Sequence, residues 1–404
     1  MATGQKIFPL PPHLSPLISI MTELKASSKI MLVAVEPSAD ALGAALFRVL
    51  KKKYPQATYI GCGGPLMEAE GFKTAFDISA FSVMGFTDVA KVLPEAWRRS
   101  RQLAKICKEE KVDIAVFIDG WSFSRMSAKR IRQRAPQTKI VKYAAPQVWA
   151  SRPQRTEFVK GHFDLVLTLL PFEPPLFEAV GVPSVFVGNP NFEAVAQTPR
   201  SGSAFRSKHH MGKAPLLAIL PGSRKGEVTR LLPIFEKTVE AVLKAVPNLQ
   251  PLIVTAPAVK EDVQTAIAGW SSSPVMVDAD EKFDAFEAVD VALAASGTVT
   301  TELAITKTPM VVAYRVDPLT AYWAKKVIVT PYISIINVMA GKMIIPERLQ
   351  EECDPDILSA DIIRLLTYED DRLYQLDAFE LILPRLIREE ATAEKAATEI
   401  LQLL

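Results

Sequence analysis

The sequence predicts an α/β protein built from two doubly wound domains, and three observations carry the prediction. Its 404 residues exceed what one ordinary hydrophobic core encloses. Short β-branched runs alternate with segments of helical spacing, the pattern of βαβ units and a parallel sheet. The alternation stops at a polar stretch, 197–203, and then begins again, so the same architecture is expected twice.

Taken in order, residues 1–28 hold four prolines and no apolar run long enough for a signal-peptide core or a membrane span. They are expected to form a loose extension, with Met21 as an alternative start. Residues 29–35 then read as a strand buried on both faces. A helix from about 39 to 53 follows, with Leu42, Leu46, Val49 and Leu50 on one face. Strands at 58–61, 114–118, 140–143, 165–169 and 184–187 complete a first domain spanning 29–195. A second series at 216–220, 252–255, 275–277, 291–295 and 310–314 defines a domain over 196–375. The tail from about 373 reads as helix to residue 404.

The bulk numbers exclude several function classes. The 47 Lys and Arg nearly balance the 45 Asp and Glu, and a net charge of +2 gives no footprint of a nucleic-acid binder. Cys62, Cys107 and Cys353 lie far apart, which argues against a disulfide framework or zinc ribbon and fits a reducing compartment. Four histidines without HExxH spacing, and no GxSxG elbow, leave neither a zinc hydrolase nor a serine triad.

Four loops that follow strands carry groups suited to a ligand. After 216–220, Pro221-Gly222-Ser223 makes a tight turn and a helix is expected to begin near Glu227. A helix N-terminus suits phosphate, and Arg224 adds a permanent bidentate cation. The same residues also read as a plain strand-to-helix turn. After 291–295, Ser296, Gly297 and Thr298 offer amides and hydroxyls, and Glu302 can accept from ribose hydroxyls or simply complement a helix dipole. After the first strand come Glu36, Ser38 and Asp40, where Ser38 or Asp40 can equally cap the next helix. After 114–118, Asp119 ends a central strand; an acid there needs a partner or a job, which makes it the candidate general base, though it can also cap the following helix.

Taken together these loops resemble lipid-A-disaccharide synthases, over roughly residues 29–404. The most specific pieces are SVMGF at 82–86, LLPFEP at 169–174 and LPGSRKGEV at 220–228. ASGT at 295–298 with Glu302, PMVVAYR at 309–315, PYIS at 331–334, Asn337, and PE at 346–347 with Gln350 extend the match in order. The resemblance implies a GT-B-like fold: two Rossmann-like domains with a cleft between them, and C-terminal helices over 376–404 packing back on the first domain. It implies an inverting hexosyltransferase with no cofactor and no metal ion. UDP-2,3-diacylglucosamine would be the donor, 2,3-diacylglucosamine 1-phosphate (lipid X) the acceptor, and the β-1,6 disaccharide plus UDP the products.

Carried onto matching positions, Asp119 is the catalytic base and Arg224 the diphosphate cation. Gly222, Ser223, Ser296, Gly297 and Thr298 lie around the diphosphate, with Glu302, Asn337, Glu347 and Gln350 around the uridine and ribose. Glu36, Ser38, Asp40, Met84 and Trp149 are expected to contact substrate in the first domain. The resemblance also implies a cytoplasmic protein peripheral to the inner membrane of a Gram-negative bacterium. The apolar stretch 81–93 and the cations Arg98, Arg99, Arg101, Lys129, Arg130, Arg132 and Arg134 are the candidate membrane face, although by pattern alone they read first as a core helix and solvated helix faces.

The departures fall in the first domain. Val35 and Ala39 stand where the family has glycines, a cost if those positions need a positive φ. Ser122 and Ser124 replace an acid and an amide after Asp119, and Asn189 replaces a histidine. Two other readings share these residues: a GT-B enzyme with a changed acceptor or reaction, such as a UDP-sugar epimerase, and a non-catalytic UDP-sugar-binding scaffold.

Overall fold

The computed structural model describes residues 28–82 and 89–404. The chain divides into two compact units. One comprises the described residues up to Pro146, then Gln154–Val187 and Glu390–Leu404. The other comprises Gln147–Pro153 and Gly188–Glu389.

The first unit is built on six parallel strands: β1 (Lys29–Ala34), β2 (Thr58–Cys62), β3 (Ile114–Ile118), β4 (Lys139–Tyr143), β5 (Leu165–Thr168) and β6 (Ser184–Phe186). Their order is β2-β1-β3-β4-β5-β6. The chain leaves β1 toward one edge and then crosses to the other, so its winding reverses between β1 and β3. Loops after such neighbours part to opposite faces and leave a crevice at the carboxyl ends. Ala34 pairs with Ile118, so the loops beginning at Val35 and Asp119 emerge side by side.

Every residue of β3 is buried, as a continuous apolar run requires when helices cover both faces of a sheet. On one face Leu46 and Leu50, from the helix Pro37–Lys53, join Ile400 and Leu401 of the last helix, Thr392–Leu401. Lys53 pairs with Glu394 at 3.0 Å across that contact. The tail is not the single helix that its pattern predicts. Glu369–Leu386 ends where Ile387 turns extended, and a second helix starts at Thr392. Pro384 lies within the last turn before the break, where its ring and missing N–H weaken the helix.

The second unit carries β7 (Leu216–Leu220), β8 (Gln250–Val254), β9 (Val275–Val277), β10 (Val291–Ala295), β11 (Met310–Tyr314) and β12 (Glu347–Leu349). All pairs are parallel, in the order β12-β11-β10-β7-β8-β9, and the winding reverses between β7 and β10. Leu220 lies beside Ala294, Ala295 beside Ala313, and Tyr314 beside Leu349. The loops after β7, β10, β11 and β12 therefore leave one end of the sheet in a row. The apolar pattern gives no hint of β12, because it is three residues long and two of them are charged. Among the described residues, no helix is long and apolar enough to cross a membrane.

Candidate active site

At the reversal point of the first sheet, Asp119 and Gly120 both adopt left-handed backbone, with φ of +47° and +50°. For a non-glycine residue this costs about 1–2 kcal/mol, so neighbouring contacts must hold it. They do so through the main chain. Asp119 N donates to Tyr143 O at 2.9 Å, while Asp119 O accepts from Ser124 Oγ at 2.8 Å and Lys142 Nζ at 2.5 Å. The carboxylate is left to face Ser38, whose Oγ donates to Asp119 Oδ2 at 2.9 Å.

Glu36 completes the constellation. A Cβ on Gly120 would lie 3.3 Å from Glu36 Oε1, so the two loops touch. Burial pushes the Glu36 carboxyl up, Asp119 adds to that, and Lys142 opposes it. Lys142 itself is 1% exposed inside β4. Burial pulls its ammonium down to about 8, against the opposing influence of Asp119 and then Glu36. The loop motifs do not nominate Lys142. Its one signal is a charged residue inside an otherwise apolar strand, KIVKY.

Other first-domain candidates take different places. Asp40 is buried and accepts from Gly64 N, Leu66 N and Met67 N at 2.8, 2.8 and 3.1 Å. It caps the short helix Pro65–Ala69 and not its own helix. Val35 and Ala39 are buried without positive φ, so neither position needs glycine's conformational freedom. Ser124 steadies the Asp119 carbonyl, and Asn189 caps the helix Pro190–Gln197 through Asn191 N. Trp149 lies in the segment grouped with the second unit, where Ala150 O accepts from Val329 N at 3.0 Å. Met84, with the rest of 83–88, falls outside the described residues; Phe81 is buried against Phe123, and Leu93 is 56% exposed.

In the second unit the helix after β7 begins at Lys225, with Arg224 as its N-cap, a little before the position its sequence predicts. Glu227 folds back over this turn. Its Oε2 accepts from Ser223 N at 3.0 Å and Arg224 N at 3.3 Å, and its Oε1 accepts from Arg224 Nη1 at 3.0 Å. Gly222, at φ +108°, is required here, since a Cβ would sit 2.5 Å from Glu227 Oε2. Two amides that a phosphate cradle would use are thus already engaged. What the turn presents outward is the Arg224 guanidinium, 79% exposed, and the exposed Ser223.

Gly297 and Thr298 are exposed beside this turn, with Ser296 half-buried at the end of β10. Glu302 is paired with Lys282, which also lies over the Phe283 and Phe286 rings. Asn337 is fully buried, and its amide is consumed internally. Nδ2 donates to Ile345 O and Glu347 Oε1, while Oδ1 accepts from Ile344 N and Ile345 N, all within 2.7–2.9 Å. Glu347 in turn accepts from Ile333 N and Ser334 N at 2.9 Å. These two residues shape the 331–347 loop, while Gln350, at φ +53°, reaches the Val316 main chain at 3.1 and 3.3 Å.

The paired reversal points thus carry an acid in one unit and an exposed arginine in the other, on a fold shared with sugar-nucleotide enzymes. A glycotransferase of kitacinnamycin aligns at TM-score 0.57 and 16% identity, over 94% of this chain and 99% of that one. A putative UDP-N-acetylglucosamine 2-epimerase from Listeria monocytogenes aligns at 0.56 and 13%, over 93% and 95%. The family model for lipid-A-disaccharide synthetase matches residues 30–401. The lipid-A-disaccharide synthase of Rhodospirillum centenum is 38% identical over 351 residues, covering 86% of this chain and 87% of its own. That of Pseudomonas aeruginosa is 36% identical over 377 residues, 93% and 98% of the two chains. The protein is a glycosyltransferase of lipid A biosynthesis, and the chain belongs to the lipid-A-disaccharide synthase family.

Proposed function

We propose that this chain transfers 2,3-diacylglucosamine from its UDP donor to the 6-hydroxyl of 2,3-diacylglucosamine 1-phosphate by direct displacement. Asp119 takes the proton of the attacking hydroxyl, the anomeric C–O bond to UDP breaks, and UDP leaves with inversion. The observation that carries this reading is the Asp119 carboxylate, kept on a left-handed turn where the Ser38 hydroxyl donates to its Oδ2. A base needs an acceptor oxygen that can meet its proton, and the other hydrogen bonds to Asp119 among the described residues are made through its main chain. Arg224 and the Ser296–Thr298 turn neutralise charge building on the departing diphosphate, which needs no magnesium. Gly222 and Ser223 shape that turn; Glu302, paired with Lys282, and Gln350, against the Val316 main chain, stand toward the nucleoside.

The reading extends to the membrane, where diacylated substrates reside. The exposed Leu93 and Trp97 lie on the helix Val89–Glu110, beside a pocket lined by Arg101, Lys105, Lys108 and Arg134. Such a face meets anionic lipid by burying apolar side chains and drawing on cations around them. On this reading the protein works at the cytoplasmic surface of the inner membrane.

Purified protein with detergent, donor and acceptor is expected to release UDP and form disaccharide in equal amounts. Asp119→Asn should lower transfer by about 10²–10⁴-fold, the usual worth of a general base, while UDP binding stays unchanged. Asparagine is chosen because it tolerates left-handed backbone. Arg224→Ala should weaken UDP binding by about 10–100-fold, a charge-assisted pair being worth about 1.5–3 kcal/mol. Measurable UDP binding without UDP release from donor and acceptor would sink the synthase reading. The 2-epimer appearing without acceptor would point to the epimerase instead.

A further inference from the structure

We infer that Lys142 is a positioning residue for the transfer, fixing the main chain on which Asp119 turns and setting a positive charge behind the Asp119–Glu36 carboxylate pair. The inference rests on the reading of Asp119 as the base.

Lys142 projects from β4, an interior strand of the sheet, and is 1% exposed, an expensive place for an ammonium. Its three N–H donors all meet main-chain carbonyls: Asp119 O at 2.5 Å, Tyr143 O at 3.2 Å and Phe117 O at 3.4 Å. Two of these carbonyls frame the left-handed turn, since Phe117 precedes it in β3 and Asp119 opens it. Tyr143 O also accepts from Asp119 N, so one ammonium binds both the Asp119 carbonyl and the carbonyl that receives the Asp119 N–H. No hydrogen bond to a carboxylate compensates its charge. The compensation comes through space from Asp119, after β3, and from Glu36, after β1. On its other side β5 contributes the apolar Val166 at the paired register.

Two carboxylates sharing a crevice resist ionising together, and one then retains a proton. A base must be ionised before it can accept. A fixed cation behind both lowers that cost without occupying the Asp119 oxygen that faces Ser38. A neutral donor in its place could still meet the carbonyls but would carry no charge behind the carboxylates. This separates the inference from a packing role.

The test is the pH profile of kcat/KM for wild type, Lys142→Met, Lys142→Gln and Lys142→Arg, with UDP binding as the check on folding. Loss of the charge is expected to lower kcat by about tenfold or more, with little change in KM for the UDP donor. Because a cation that favoured the carboxylate form is gone, the acidic limb should move to higher pH in Lys142→Met and Lys142→Gln. Lys142→Arg should hold the limb at its wild-type position even where its rate falls. The glutamine variant keeps a donor for the carbonyls and serves where methionine disrupts the fold. Wild type alone adds a check, since activity should decline as the ammonium titrates near 8. A lowered rate with an unshifted limb, or a wild-type profile flat from pH 7 to above the Lys142 value, would overturn the inference. Asp119→Asn separates the two claims. If it keeps transfer, the base reading fails; if it is inactive while Lys142→Met matches wild type, only the role of Lys142 fails. The Asp119→Asn/Lys142→Met double variant should lose no more than Asp119→Asn alone, because the lysine acts through the acid.

Discussion

Asp40 accepts three main-chain N–H groups, whereas the Asp119 carboxylate accepts one hydroxyl. From the sequence both are acids just past a buried strand, and nothing in their spacing separates a cap from a base. Asp40→Ala strands three N–H groups in and around a buried turn, each worth about 1–3 kcal/mol when unpaired. With partial relaxation the variant should lose about 3 kcal/mol of stability in urea unfolding, while Asp119→Asn loses under about 1 kcal/mol. The reverse ranking would exchange their roles. Lys142 has a second signature in stability. Its folded-state value, about 8, lies below the usual 10.5, so between them the unfolded chain holds the extra proton. Stability from this residue is therefore reduced below pH 8 and recovers as pH rises to 10.5. Relative to Lys142→Met, wild type should gain about 3 kcal/mol across that window, measured by urea unfolding at several pH values.

At the scale of elements, the strands were legible and the turns only in part. Apolar runs bounded by Gly, Pro and Asn mark eleven of the twelve strands by composition alone, and β12 escapes because its pattern contains one apolar residue. The turn after β7 shows what pattern cannot supply. Its PGSR string suggests a phosphate cradle, yet the first acid of the following helix reaches back and takes two of the amides. This is a contact over three and four residues that depends on Gly222 leaving room. Gly222→Ala meets both a positive φ and the Glu227 carboxylate, and should cost about 1–2 kcal/mol in thermal unfolding. It should also weaken UDP binding, because Arg224 is oriented by that same carboxylate. Unaltered UDP affinity in Gly222→Ala would show that the capping contact does not aim the guanidinium.

Over the whole molecule, the restart of the strand–helix pattern after residue 197 announces two sheets, and the winding reversal tells where each presents its loops. Charge is the property that composition hides. The total is only +2, so any attraction to an anionic surface must come from local crowding of cations. That crowding lies along the helices Val89–Glu110 and Trp121–Arg134, where burial together with the Arg101 and Arg134 charges depresses Arg130. An arginine does not give up its proton, so the Arg101 and Arg134 share of that depression marks cations standing close together. Glu95 answers Arg98 and Arg99, Asp164 answers Arg132 and Glu109 answers Lys105, while Arg101 stacks on Trp97 and borders the same pocket with Lys108 and Arg134. Cations near an anionic bilayer contribute about 1 kcal/mol each. Reversing two of them, Arg101→Glu with Arg134→Glu, removes two attractions and adds repulsion. Sedimentation with phosphatidylglycerol vesicles should then weaken by about 30-fold or more, with UDP affinity intact. Raising salt should release wild type from the same vesicles, and Leu93→Ser with Trp97→Ser should weaken what salt leaves behind. Vesicle binding that ignores both the charge reversal and the salt would place the membrane-facing surface elsewhere on the chain.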